Sequence, residues 1–384
     1  MQRTAAVCDT VQSWSPNGHG PAMTAPTERF PAMPPAPSVP VDLRSDTFTT
    51  PDQAMRRVMA TAEVGDDVWG EDPTVRRLEE EMAQRLGKAA AVFVPSGTMG
   101  NLASLAAQTA PGDEVIVDSE SHVVRSEAGG AGAVAGVMLR TVDASGGAPT
   151  PAQVTAAVRE PDIHTPVPRL LWLENTHGGR AGAAVTAAAM DDAASAARAA
   201  GLRVHCDGAR LFNAAVALGV PAARLVQGCD TVSVCLSKGL GAPVGSVVSG
   251  DAACIDAVRL WRKRLGGGMR QAGILAAAGI HALTHNVDRL AEDHANAAML
   301  AAALRGTPGV TVVEVSVPTN MVMFDTPLAG DEATRAAAGC GVLLSAVGGH
   351  RLRCVTHKDV DATAVRRAAT SLSALFEGLA TAMR

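Results

Sequence analysis

A lysine and an aspartate, each closing an apolar run, are the residues of this sequence best placed to do chemistry. Lys238 ends Thr231-Val-Ser-Val-Cys-Leu-Ser-Lys238 and is followed by Gly239. Asp207 ends Val204-His-Cys-Asp207 and is followed by Gly208, Ala209 and Arg210. Runs of this kind read as strands buried on both faces, and ligands of parallel sheets collect where such strands end. A lysine at one strand end and a carboxylate at another are what pyridoxal phosphate requires. The amine forms a Schiff base with the cofactor aldehyde, and the carboxylate keeps the pyridine nitrogen protonated. An aspartate after a strand is also a common helix cap, so the pair carries more weight than Asp207 alone.

A third stretch, Val92-Phe-Val-Pro-Ser-Gly-Thr-Met-Gly-Asn101, runs from a strand directly into a helix. Gly97 permits close backbone approach, Thr98 offers a hydroxyl, and the helix start offers free N–H groups; together they form a phosphate cup. Capped turns are common, and this one gains meaning from Asp207 and Lys238 downstream. Three arginines are candidates for anions. Arg210 lies three residues past Asp207 and can reach a substrate carboxylate. Arg270 follows the Gly266-Gly-Gly268 run and can cap a phosphate, of its own subunit or a neighbour's. Arg353 sits in the short run Leu352–Val355, where a bidentate fork would make a second carboxylate ligand. Strand alternation puts His205 on the face of Asp207, either orienting the acid or filling the core.

These residues need a scaffold, and the hydrophobic pattern supplies one. Strand-like runs at Ala89–Val94, Glu114–Val117, Leu170–Leu173, Leu202–Cys206, Thr231–Leu236 and Val244–Ser249 are separated by helical stretches such as 101–108 and 187–200. Such alternation implies an α/β fold whose mostly parallel sheet is covered on both faces. Helices are also expected after Asp52 to about Ala62, from Thr74 to Leu86 behind Pro73, and as one long helix from Gly273 to Ala303. The remainder, with runs at Val310–Val317, Asn320–Phe324 and Leu352–Val355, suggests a smaller α/β domain. Residues 1–40 are rich in proline without periodicity and read as a disordered leader, and Met23 and Met33 leave a later start open.

Composition narrows the function classes. The 384 residues are 47% hydrophobic and 18% charged, with a net charge of −5, which describes an ordinary globular enzyme-sized chain. There is no basic patch, so nucleic acid is not an expected partner. No apolar run reaches the roughly 20 residues of a membrane helix, and no apolar segment near the start resembles a secretion signal. Seven scattered cysteines, without metal-ligand spacing, point to reduced thiols in the cytoplasm and no metal site. Tyrosine is absent altogether.

From Val41 onward the chain resembles the low-specificity L-threonine aldolases, members of the fold-type I pyridoxal-phosphate enzymes. The resemblance rests on Asp42-Leu-Arg-Ser-Asp-Thr47, Gly65-Asp-Asp-Val-Trp-Gly-Glu-Asp-Pro-Thr-Val75, Ser96-Gly-Thr98, Glu174-Asn-Thr-His177, His205-Cys-Asp-Gly-Ala-Arg210, Leu236-Ser-Lys-Gly-Leu-Gly241 and Gly266-Gly-Gly-Met-Arg-Gln271, in the family's order. It implies a large cofactor domain over 41–290, with a mostly parallel seven-stranded sheet, and a small domain over 291–384. It implies Lys238 as the Schiff-base lysine, Asp207 as the pyridinium partner, and Gly97, Thr98 and Arg270 on the phosphate, the arginine reaching across a subunit interface. Arg210, also beside the cofactor, would hold the substrate carboxylate with Ser45 and Arg353. His122 would stack on the cofactor ring and His164 would stand near the substrate β-hydroxyl; these histidines, or a water between them, are the candidate bases. Trp69 replaces the family tyrosine and keeps an aromatic wall without the phenol. Gly178-Gly179 also departs from the family, which commonly has Asn and then a varied residue after His177. The implied reaction is reversible cleavage of L-threonine, L-allo-threonine and other β-hydroxy-α-amino acids to glycine and an aldehyde, by a homodimer or homotetramer. Transaldol exchange, β-elimination and racemisation are related outcomes at the same site.

Overall fold

Asp207 and Lys238 stand at the same end of one sheet because the strands that lead to them are parallel neighbours. The computed structural model describes residues 39–160 and 162–382; the leader expected over 1–40 lies outside them, apart from its last two residues. The first eight strands are β1 (Val41–Asp42), β2 (Ala90–Val94), β3 (Glu114–Asp118), β4 (Met138–Val142), β5 (Pro168–Glu174), β6 (Arg203–Asp207), β7 (Thr231–Cys235) and β8 (Ser246–Gly250). Strands β2 to β8 form one seven-stranded sheet in the order β2-β8-β7-β6-β5-β3-β4. Pairing is parallel from β7 through β6, β5 and β3 to β4. Strand β8 alone runs antiparallel to its neighbours. In this register Glu174 lies beside Asp207, and Asp207 beside Ser233. Every residue of β3, β7 and β8 is buried, as expected of strands covered on both faces.

A second sheet is antiparallel. Its strands are β9 (Thr311–Val312), β10 (Met321–Asp325), β12 (Ser345–Gly348) and β13 (Arg351–Val355), in the order β12-β13-β10-β9, while β11 (Val342–Leu343) pairs instead with β1. Strand β1 therefore ties the start of the described chain to its C-terminal third, with Val355 donating its backbone N–H to Leu43 O at 2.8 Å. That tie delivers Ser45 and Asp46 to the same side as Arg353. We propose the division 41–290 and 291–384, with β1 as the segment that crosses between the two parts.

Several elements differ from the sequence pattern for identifiable reasons. The expected helix 273–303 is two helices, Gly273–His285 and Leu290–Arg305. The Asn286 side chain donates to Leu240 O at 2.7 Å, and that tertiary bond favours a break where periodicity alone would continue. Edge strand β4 was not expected; Met138-Leu-Arg-Thr-Val142 is partly exposed and lacks the apolar continuity of the inner strands. The Val310–Val317 run contributes only the two residues of β9. Helices Ala252–Arg264 and Ala362–Ala382 also went unmarked in the pattern. Among the described residues no helix is long and apolar enough to cross a membrane.

Asp72 fastens the Gly65–Glu71 loop to the rest. Its carboxylate caps the helix Pro73–Leu86 by accepting from Thr74 and Val75 N–H, and also accepts from Gly65 N–H at 3.2 Å and Gly273 N–H at 2.8 Å. Asp72→Ala strands these four donors, two of them helix-capping bonds. The expected loss is about 2–3 kcal/mol, seen as a lower midpoint of thermal unfolding.

Candidate active site

The N-terminal segment, the ends of four large-sheet strands and three small-sheet strands converge on a cavity of about 710 Å³. Ser45, His122, Glu174, Asp207, Arg210, Lys238 and Arg353 all line it. Five of the sequence-derived candidates (Ser45, His122, Asp207, Arg210 and Lys238) therefore meet Arg353, the sixth, in one space.

Lys238 sits in a turn with both arms fixed. Gly241 N–H bonds Lys238 O at 2.8 Å, Leu236 N–H bonds Gly245 O at 3.0 Å, and the Thr49 hydroxyl donates to Lys238 O at 2.9 Å. Gly241, at φ +78°, supplies the left-handed residue that lets the chain turn. Beside it, the helix Gly97–Gln108 begins close over the end of β7: a Cβ at Gly97 would stand 2.8 Å from Cys235 Sγ. Glycine at 97 is what allows the helix start, and its free N–H groups, to approach the strand end that leads to Lys238.

Asp207 is buried, and its two oxygens accept from Asn101 Nδ2 at 2.8 Å and Ala209 N–H at 3.1 Å. His205 does not orient it. The His205 ring bonds the Thr231 hydroxyl through Nδ1 at 2.7 Å and stacks on Trp172 with centroids 4.2 Å apart. Burial lowers its pKa to about 4, so it remains a neutral core side chain.

Arg210 is held by an acid of the N-terminal segment. Its guanidinium is buried against Asp46 in a fork, Nε to Oδ2 at 2.8 Å and Nη2 to Oδ1 at 2.6 Å. Asn320 Nδ2 adds a contact to Asp46 Oδ2 at 3.3 Å. Arg353 is the opposite case. Its buried Nε has no partner, and its Nη2 reaches the Arg44 carbonyl at 3.3 Å. Burial, and then the charge of Arg210, push its pKa downward from the usual arginine range. A partly buried cation with unspent donors, in a cavity, is a receptor for an anion.

Five candidates lie outside the lining: Trp69, His164 and Arg270, and at the helix start Gly97 and Thr98. Trp69 is 76% exposed and Arg270 pairs with Asp66 at 2.8 Å on the outside of the Gly65–Glu71 loop. His164 lies on an exposed turn, its N–H bonded to Asp162. Thr98 stands at the helix start beside Gly97.

The sequence reading missed Asp46, Asn101, Glu127 and Asn320. Asp46 lay inside a quoted motif, and an acid one residue after a proposed carboxylate ligand was the available signal. Glu174, in the Glu174–His177 motif, also acts at the cavity wall. It accepts from His122 N–H at 2.8 Å and Gly178 N–H at 2.8 Å, holding two loops at the cavity wall. Gly179, one of the departures, lets the Glu120 backbone pass where a side chain would collide. Donor atoms of His122, Glu127 and Asp207 lie within 4.8 Å of one another. His122 Nδ1 and Asn101 meet Glu127 Oε1, and Asn101 also meets Asp207 Oδ2.

A model of the Beta-eliminating lyase family matches residues 42–327. The chain is 45% identical to low-specificity L-threonine aldolase 1 of Arabidopsis thaliana over 83% of its length and 92% of that protein. It is 43% identical to the low specificity L-threonine aldolase of Escherichia coli strain K12, over 83% and 94%. The chain belongs to the threonine aldolase family of beta-eliminating lyases. A solved Leishmania major threonine aldolase superposes with a TM-score of 0.74 at 20% identity, covering 88% of this chain and all of that one (100%), a likeness of fold. The fold is that of the type I enzymes expected above.

In this threonine aldolase family member the Asp46–Arg210 pair sets an acid limit on stability. Burial opposes the Asp46 charge, but Arg210, then Lys238 and Asn320, hold its pKa down to about 2. A depressed carboxyl contributes stability that is present above about pH 4 and lost as pH falls through about 2. Asp46→Asn is expected to flatten that acid limb of unfolding free energy, measured between pH 4 and 2, by about 2 kcal/mol.

Proposed function

We propose that the protein cleaves L-threonine, L-allo-threonine and related β-hydroxy-α-amino acids to glycine and an aldehyde, using pyridoxal phosphate. The observation that carries this reading is the meeting of Lys238, Asp207, His122 and an Arg353 whose Nε has no partner, in one cavity. The names of the relatives support the reaction.

The residues fit the cofactor. The glycine at 97 leaves the helix start free to approach, as a phosphate needs; Asp207 offers a buried carboxylate for a pyridinium; Lys238 supplies the amine; His122 offers a ring face. When bound, pyridoxal phosphate supplies an aldehyde for amines and a ring that accepts the electron pair left on Cα when a bond breaks. The protein does the rest. Arg353 and Ser45 hold the substrate carboxylate, which fixes the Cα–Cβ bond in the orientation from which it cleaves. Arg210, locked by Asp46, keeps its charge at the cofactor side of the cavity instead of turning to substrate. His122 takes the β-hydroxyl proton, and Lys238 remains to receive the next amine exchange. His164 lies outside the cavity lining, so the proposal rests proton removal on His122. Trp69, Thr98 and Arg270 stay with the proposal as residues of the outer wall and the phosphate. Trp69 and Arg270 face outward, which suits a homodimer or homotetramer in which one copy completes its neighbour's site. A cytoplasmic location belongs to the same proposal, supported by free thiols at all six described cysteines.

Acetaldehyde release from L-threonine and L-allo-threonine by the cofactor-loaded protein tests the reaction. Lys238→Ala is expected to reduce it at least about a thousandfold, and normal turnover in that variant would remove the assignment. Arg353→Lys keeps the charge but loses the fork. We expect its KM for L-threonine to rise by about tenfold or more, from the steady-state dependence on substrate.

A further inference from the structure

One buried carboxylate in the site has no role so far. Glu127 lies five residues past His122, and its side chain is fully enclosed, whereas the His122 ring is 41% exposed toward the cavity. Glu127 Oε1 faces His122 Nδ1 at 2.8 Å and accepts from Asn101 Nδ2 at 2.7 Å. The same Asn101 nitrogen donates to Asp207 Oδ2 at 2.8 Å. Asp207, Asn101, Glu127 and His122 thus form a single hydrogen-bonded chain.

The chain fixes its own polarity. Asn101 must present its amide nitrogen, since the opposite orientation would set a carbonyl oxygen against two carboxylates. Glu127 Oε1 requires a donor from the ring, so the proton sits on His122 Nδ1, and Nε2 is the other nitrogen. Glu127 Oε2 and Asn101 Oδ1 are buried without partners. An enclosed carboxylate with one oxygen unsatisfied is costly.

We propose that Glu127, held by Asn101, is a positioning residue for proton transfer at His122, fixing Nδ1 as a donor so that Nε2 exchanges the proton with substrate. This rests on the reading of His122 as the residue facing the substrate hydroxyl. The charged groups around His122 are Glu127 and Asp207, Lys238 of opposite sign, and Glu174 on its backbone N–H. Only Glu127 bonds the ring. That bond raises the His122 pKa above its ordinary value, against burial. The protonated ring is therefore favoured at low pH, and the advantage is lost as pH rises through the raised value.

Glu127→Gln keeps the shape and an acceptor but removes the charge. The titration of the His122 ring is followed by NMR, assigned against His122→Asn, in both cofactor-loaded and cofactor-free protein. We expect its midpoint to fall by about one pH unit in Glu127→Gln. The acid limb of the kcat–pH profile should move with it, while KM for L-threonine stays within about twofold. An unmoved midpoint overturns the proposal. So does a fall in kcat with an unshifted pH profile and a lowered unfolding temperature, which marks a structural role. If Glu127→Gln does not accumulate folded, Glu127→Asp carries the test: charge kept and reach shortened, with the midpoint near that of the parent and kcat reduced. Unchanged kcat there overturns the proposal equally. The ring titration in cofactor-free protein does not depend on the reaction, so its failure is separate from absence of aldehyde release by the unaltered enzyme.

Discussion

The buried fork between Arg210 and Asp46 is the interaction on which the cavity depends. Its two halves come from distant chain segments, the turn after β6 and the short helical turn Asp46–Phe48. Asn320, just ahead of β10, joins from the small sheet. An ion pair this enclosed contributes little net stability when intact, because desolvation offsets attraction, but it is costly to break on one side. What it secures is geometry. It ties the segment that carries Ser45 to the turn after β6 and holds an arginine charge inside the cavity.

Division of labour between the two arginines follows from that constraint. They stand in one cavity and have the same side chain, yet one is forked onto a buried carboxylate and the other has a buried Nε without a partner. Chain order suggested that both would grip a carboxylate. Only the partners distinguish them, and partners separated by 164 positions in sequence are invisible to local pattern.

Much of the fold was legible because buried parallel strands announce themselves by apolar continuity. Strands β3, β5, β6 and β7 were readable for that reason, and the lysine and aspartate at their ends followed. Edge strand β4 and the break at Asn286 were not, since exposure and a single side-chain bond to Leu240 decide them. At the site, the cavity residues Ser45, His122, Asp207, Arg210, Lys238 and Arg353 were legible through motif. Those that hold them, Asn101 and Glu127, were not, because an amide on one helix and an acid after a turn have no fixed spacing. His205 shows the converse: strand alternation placed it on the right face, but Thr231 takes its bond.

The antiparallel placement of β8 has its own effect on Lys238. Because β7 and β8 are consecutive and adjacent, the lysine rides on a short hairpin whose closing bonds, Leu236 to Gly245 and Ala242 to Leu236, join residues near in sequence. Loop closure of this length carries a small entropic penalty. The backbone of Lys238 is thus ordered by local contacts made on folding, a cost that no ligand of the cavity has to meet.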